Sequence, residues 1–135
     1  MFYDFAITIP AGTSEASPVE KELNLTYGII HLVEVRFRRG TDFRVGVRIY
    51  HREHQLYPTN LDSDFRDDGR AITFTDHEEL NESPYNLKVR GYAPTATYPH
   101  TVYIRIGILE RKVLMPFAGL GGMFQKFFRM IGIGQ

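Results

Sequence analysis

Residues 1–110 alternate between apolar and polar side chains in one short segment after another, and this constrains the fold more than any other feature. A period of two places alternate side chains on opposite faces of an extended strand. "FYDFAITI" puts Phe5, Ile7 and Ile9 on one face. "VEKELNLTY" puts Val19, Leu23, Leu25 and Tyr27 on one side, with Lys21 among them. "IIHLVEVRF" follows with Ile29, Val33, Val35 and Phe37 inward and His31 on the same parity. "FRVGVRIY" sets Phe43, Val45, Val47 and Ile49 against Arg44, Gly46, Arg48 and Tyr50. "AITFT" is a short strand, and "YNLKVRGY" alternates Tyr85, Leu87 and Val89 with Asn86, Lys88 and Arg90. "HTVYIRIGIL" closes the series with Val102, Ile104, Ile106 and Ile108 inward.

Turn-forming clusters separate these segments. "PAGTSEASP" and "APTATYP" read as loops, "HREHQLYPTN" as a bend into the acidic "LDSDFRDDGR", and "DHEELNESP" as a polar turn. "RRGTD" has the length of a hairpin turn, which would pair its flanking strands and bring Arg36 and Arg38 to one arginine-rich outer face with Arg44 and Arg48. The expectation is an all-β chain. Seven or eight strands form an antiparallel β-sandwich of jelly-roll type over residues 1–110.

The pattern changes near Glu110. Phe117, Leu120, Phe124, Phe127, Phe128 and Ile131 recur at steps of three and four, while Lys126 and Arg129 take the opposite side. This predicts an amphipathic helical arm within residues 111–135. Pro116 suits its first turn and Gly132 its end. Three glycines weaken such a helix by roughly 1 kcal/mol each, so it is expected to become ordered by docking. The candidate surfaces are its own body, a neighbouring copy or a membrane, with the neighbour favoured. The uncharged apolar runs fall short of the ~18 residues of a membrane-spanning helix, and "MFYDFAITIPAG" lacks the basic region of a signal peptide.

The 16 basic and 16 acidic residues cancel, but unevenly. Arg111, Lys112, Lys126 and Arg129 give residues 111–135 a charge of +4, and residues 1–110 carry −4. A neutral total suits self-association better than nucleic-acid binding. With no cysteine, disulfides, zinc–thiolate sites and thiol nucleophiles are excluded. There is no nucleophile elbow, phosphate loop or zinc-protease motif, so no catalytic residue and no cofactor are expected.

Asp62, Asp64, Asp67 and Asp68 form an oxygen-rich loop of the kind calcium uses. Their spacing is not that of an EF-hand, and Arg66 and Arg70 interrupt them. A solvated loop with local Arg–Asp pairs is the expected form, and no metal is assigned. His51 and His54 could chelate together only at a bend. Outward or loop positions are expected for Tyr50, Tyr57, Tyr92, Tyr98 and Tyr103, where they would serve an oligomer interface or stack on sugars. Tyr103 and Arg105 alternate outward as Arg48 and Tyr50 do.

The stretch from Tyr27 to Leu109, with "YGIIHLVEVRF", "HQLYPTN" and "TYPHTVYIRIGIL", resembles small single-domain proteins of prokaryotes and their viruses. In architecture the chain resembles β-sandwich virion proteins such as minor capsid, cement or tail components. That resemblance implies a structural role in a virion or extracellular assembly, with copies of itself or another virion protein as partners. It carries over no site residue. The expected function is therefore non-enzymatic self-assembly through Arg36, Arg48, Tyr50, Tyr103, Arg105 and the arm. The alternatives are a carbohydrate- or cell-surface-binding module and a membrane-associated protein held by the arm.

Overall fold

The computed structural model describes residues 1–110. The predicted arm, with Phe117, Leu120, Phe124, Lys126, Phe127, Phe128, Arg129 and Ile131, lies outside the described residues.

Eight strands form two four-stranded antiparallel sheets. They are β1 (Phe2–Ile9), β2 (Val19–Asn24), β3 (Gly28–Phe37) and β4 (Gly46–His51), then β5 (His54–Tyr57), β6 (Ala71–Leu80), β7 (Asn86–Tyr92) and β8 (His100–Leu109). The first sheet has the order β1-β8-β3-β6 and the second β2-β7-β4-β5. The pairs β1·β8, β2·β7, β3·β6 and β4·β5 nest inside one another around the β4–β5 turn.

The alternation read from sequence becomes the inner face of each sheet. Val33, Val35, Phe37, Ile104, Ile106 and Ile108 of the first sheet share one core with Val47, Ile49, Leu87 and Val89 of the second. Each large apolar side chain removed from water contributes about 1.5–3 kcal/mol before chain entropy. The sheets approach closely at Gly91, where an added Cβ would lie 2.4 Å from Ile9 Cδ1.

Four expectations are corrected. First, "RRGTD" does not close a hairpin. Strand β3 already pairs with β8 on one side and β6 on the other, so the chain crosses to the second sheet. Asp42 and Phe43 take left-handed φ values of 49° and 58° in this crossing. Phe43 is thereby turned outward and is 56% exposed. The buried Thr41 hydroxyl anchors the bend by donating to Asp67 O at 2.7 Å.

Second, His31 leaves the inward series. The β3–β8 register shifts between Ile30 and Leu32, so Ile30 enters the core and His31 meets Phe2 edge-on at 5.7 Å. An extra residue in one strand reverses the facing of the residues beyond it. Third, "HQLY" is a strand that pairs with β4. Fourth, "DHEEL" is not a turn but the second half of β6. β6 lies at the edge of its sheet, where charged side chains face solvent at little cost.

Candidate interaction surface

The residues expected to form one arginine- and tyrosine-rich face divide between two. Arg36, Tyr103 and Arg105 belong to the first sheet, and Arg48 and Tyr50 to the second. Because the sheets pack face to face, their outer surfaces point in opposite directions. Arg36 and Arg48 therefore cannot contribute to one continuous face.

On the second sheet most of the polar chemistry is turned inward on itself. Arg48 and Asp64 are only 12% and 11% exposed at their side chains, and Arg48 Nε donates to Asp64 Oδ1 at 2.5 Å. Arg48 also reaches Glu15 at 2.9 Å. Tyr92 donates its hydroxyl to Asp64, while Arg66 donates to Asp64 Oδ2 at 3.2 Å.

Burial pushes the Asp64 carboxyl up, but hydrogen bonds from Tyr92, Arg48 and Arg66 outweigh it and hold its pKa below the usual carboxylate range. Burial likewise opposes charge on Arg48. Bonds to Asp64 and Tyr50 overcome it and raise the guanidinium above its ordinary value. Burial, then the bond to Asp64, raises Tyr92.

Beside this network Arg90 lies over the Tyr50 ring at 4.3 Å. Its Nε is 2.7 Å from Glu20 Oε1, close enough to pair but off the hydrogen-bond axis. A depression of about 320 Å³ remains above these groups, bounded by Glu15, Glu20, Arg48 and Arg90.

Two of the tyrosines expected outward, Tyr50 and Tyr92, are thus 9% and 4% exposed and covered by arginines. Tyr57 is also buried, with its hydroxyl donated to Asp76 at 2.5 Å. Burial and that bond raise its pKa. Of the five, Tyr98 remains half exposed, 4.4 Å from His100.

The first sheet differs. A depression of about 480 Å³ is lined by Asp4, Arg36, Arg38, Arg39, Tyr103 and Arg105, among others. Arg36 pairs in register with Tyr103, and Asp4 with Arg105. Arg105 reaches Asp4 at 3.6 Å and Glu34 at 3.4 Å. Across the described surface, Arg44, Arg48, Arg52, Arg66, Lys88 and Arg90 are likewise in ion pairs.

Arg36, Arg38, Arg39 and Arg70 have no ion pair among the described residues, and all four are exposed. They lie at one end of the first sheet. Phe37 N donates to Arg70 O at 2.9 Å and Gly69 N to Arg38 O at 3.3 Å, which ties the two arginine-bearing segments together. Gly69 takes a φ of +66° in the intervening turn, a conformation that glycine adopts without strain.

The acidic loop is distributed among these structures. Asp64 belongs to the buried network, and Asp67 accepts from Asp68 N at 2.8 Å. Asp68 accepts from Gly40 N at 2.7 Å. Backbone N–H groups of Gly40 and Asp42, then the charge of Arg39, lower its pKa. Asp62 holds a left-handed φ of 65°. His51 and His54 pair across the β4–β5 turn, which supplies the required bend, but no third ligand joins them among the described residues.

Sequence reading placed Arg36 and Arg38 outward together but missed the convergence of Arg39 and Arg70 with them. The dense arginines around "VRFRRG" and "DDGRA" were visible, but their approach depends on the β3–β6 register.

No family model and no curated protein match the chain. Among solved structures it is similar to one described as Bacillus endospore appendages that form a family of disulfide-linked pili. The identity is 12% and the TM-score 0.40, covering 82% of this chain and 88% of that one. At that level of superposition the likeness carries no functional argument.

Proposed function

We propose that this chain is a non-enzymatic structural subunit that assembles with copies of itself, as a virion-type shell, cement or filament component outside the cell. The observation that carries this reading is the cluster of Arg36, Arg38, Arg39 and Arg70 without ion pairs, on a surface where other arginines are paired. Like charges held together repel one another, and within one subunit the offset among the described residues is the attraction of Arg39 for Asp68. An acidic partner surface turns the same charges into attraction and specificity.

Two further features support it. The nested pairing of β1·β8, β2·β7, β3·β6 and β4·β5 favours the jelly-roll subtype, an architecture of capsid and lectin domains. Asp64, Arg48 and Tyr92 direct their polar groups at one another beneath the depression that Arg48 and Tyr92 help to line. With no cysteine in the chain, the contacts between subunits are not disulfide-linked. The body is residues 1–110. Residues 111–135 form the arm, whose Phe124, Phe127, Phe128 and Ile131 lie against a neighbour while Lys126 and Arg129 meet its acidic groups.

Light scattering on the full chain and on residues 1–110, at several concentrations, tests the reading. The full chain is expected to gain mass with concentration, and the truncated chain to stay folded but smaller. Equal masses for the two would remove the arm from the assembly. A full chain that is monomeric throughout would remove the assembly itself.

A further inference from the structure

Strand β6 is ten residues long and ends the first sheet. Among the described residues no strand pairs with its outer side. Such an edge presents a row of backbone N–H and C=O groups that can template another strand. At about 3.3 Å per residue it extends roughly 33 Å.

Its charge is divided along that length. Arg70 immediately precedes it, and Arg36 pairs in register with Ala71 at its first residue. Asp76, Glu78 and Glu79 occupy the opposite end, and none has an ion pair among the described residues. His77 lies with them, and nearby Glu82 is taken by Arg52 at 3.9 Å. The near end also holds Asp67 and Asp68, but the cations there outnumber them.

We propose that β6 pairs antiparallel with β6 of a second copy about a two-fold axis, joining two first sheets into one of eight strands. This rests on the reading of the chain as an assembly subunit and names the surface through which two copies meet. Antiparallel pairing centred on Thr75 lays residues 71–74 against residues 76–79 of the other copy, so that directly opposite side chains share a face of the sheet. Arg70 then meets the partner's acidic half, with Arg36 one strand further in on β3, and the contact occurs twice. Parallel pairing would set like charge on like charge, so charge selects the antiparallel arrangement. A surface that is its own complement under a two-fold rotation is what a closed dimer requires. The irregularity of β6 lies between Thr75 and Glu78, beside the axis, which leaves regular strand on both sides. Neighbouring strands lie about 4.8 Å apart, within the ~10 Å screening length at 0.1 M salt. The contact is therefore weakened by added salt.

The test uses the full chain. Arg36→Glu/Arg70→Glu makes both halves of the edge acidic, and Glu78→Lys/Glu79→Lys removes the acidic half. Each is expected to weaken dimerisation by about tenfold or more in light scattering. Combining all four reversals restores opposite charges and is expected to recover the dimer, as is mixing the two double variants. Unchanged circular dichroism excludes misfolding as the cause. Because the chain has no cysteine, Thr75→Cys introduces a single thiol beside the axis. Oxidation is expected to link it into a dimer, whereas Thr8→Cys on β1, the opposite edge, stays unlinked. Reversals that leave the mass unchanged, or no linkage at Thr75→Cys above that at Thr8→Cys, overturn the β6 contact and leave assembly through other surfaces standing. A full chain that is monomeric at every concentration overturns both.

Discussion

Gly91 is the position where the packing of the two sheets can be tested most directly. It lies in β7 on the inner parity set by Leu87 and Val89, opposite Ile9 of the other sheet. An alanine Cβ there would sit 2.4 Å from Ile9 Cδ1 and 2.8 Å from Cγ1. Ordinary carbon contacts are about 3.5–4.0 Å, so more than an ångström must be recovered by moving Ile9 or spreading the sheets. Overpacking of this kind costs about 1–3 kcal/mol. Replacing glycine in the unfolded chain returns roughly 0.4–1 kcal/mol. Gly91→Ala is therefore expected to destabilise by about 1–2 kcal/mol. Ile9→Val, which removes Cδ1 from a fully buried side chain, should cost about 0.5–1.5 kcal/mol alone. Together the two should cost less than their sum by about 1 kcal/mol, because valine removes Cδ1, the nearer of the two crowding atoms, although it keeps Cγ1. Urea unfolding of the four proteins at constant slope measures each term. Costs that add to within about 0.5 kcal/mol would refute the claim that Gly91 and Ile9 meet across the core.

Two other perturbations address individual groups. Asp64→Asn leaves Arg48, at 12% exposure, with only the exposed Glu15 as a counter-charge, and should destabilise by about 1–3 kcal/mol in urea unfolding; a loss under about 1 kcal/mol would mean that the network is not tightly held. Since the folded pKa of Asp64 is lowered, its contribution is fully present above the unfolded value of about 3.9. It is lost as pH falls through the folded value, so the variant should also flatten the acid limb of the stability curve. His100 is buried, and desolvation lowers its pKa. The neutral ring is favoured in the fold, so its contribution is complete above about pH 6.5 and declines as pH falls through the lower folded value. His100→Gln should reduce the slope of stability against pH below 6.5, and an unchanged slope would count against the burial of this ring as a source of acid sensitivity.

The inner faces were legible in the sequence because alternation follows from strand geometry alone. Ile7, Ile9, Val47, Val89, Ile104 and Ile106 are all buried where the pattern placed them. His31 was misplaced because a bulge depends on how β3 meets β8, and nothing in "GIIHLVEV" marks the extra residue. The second half of β6 was hidden because "DHEEL" has the composition of a turn. Partnership with Gly28–Ile30 makes it a strand. Of the surface candidates, Arg36, Tyr103 and Arg105 share one depression. Arg48 and Tyr50 were indistinguishable from them by alternation, yet Asp64 and Arg90 cover them.

Sequence alone determined that the chain is all-β over residues 1–110, which side chains alternate into the interior, and that charge is split between residues 1–110 and residues 111–135. Each of these depends on backbone geometry or composition, which neighbouring residues carry between them. The tertiary structure decided that β3 and β4 separate into different sheets, that Arg48 belongs to an internal network, and that Arg36, Arg38, Arg39 and Arg70 gather at one end of an open edge. Those outcomes depend on pairing between segments tens of residues apart. The choice of partner is made by the whole set of strands competing for the same edges, and no short stretch of the chain contains it.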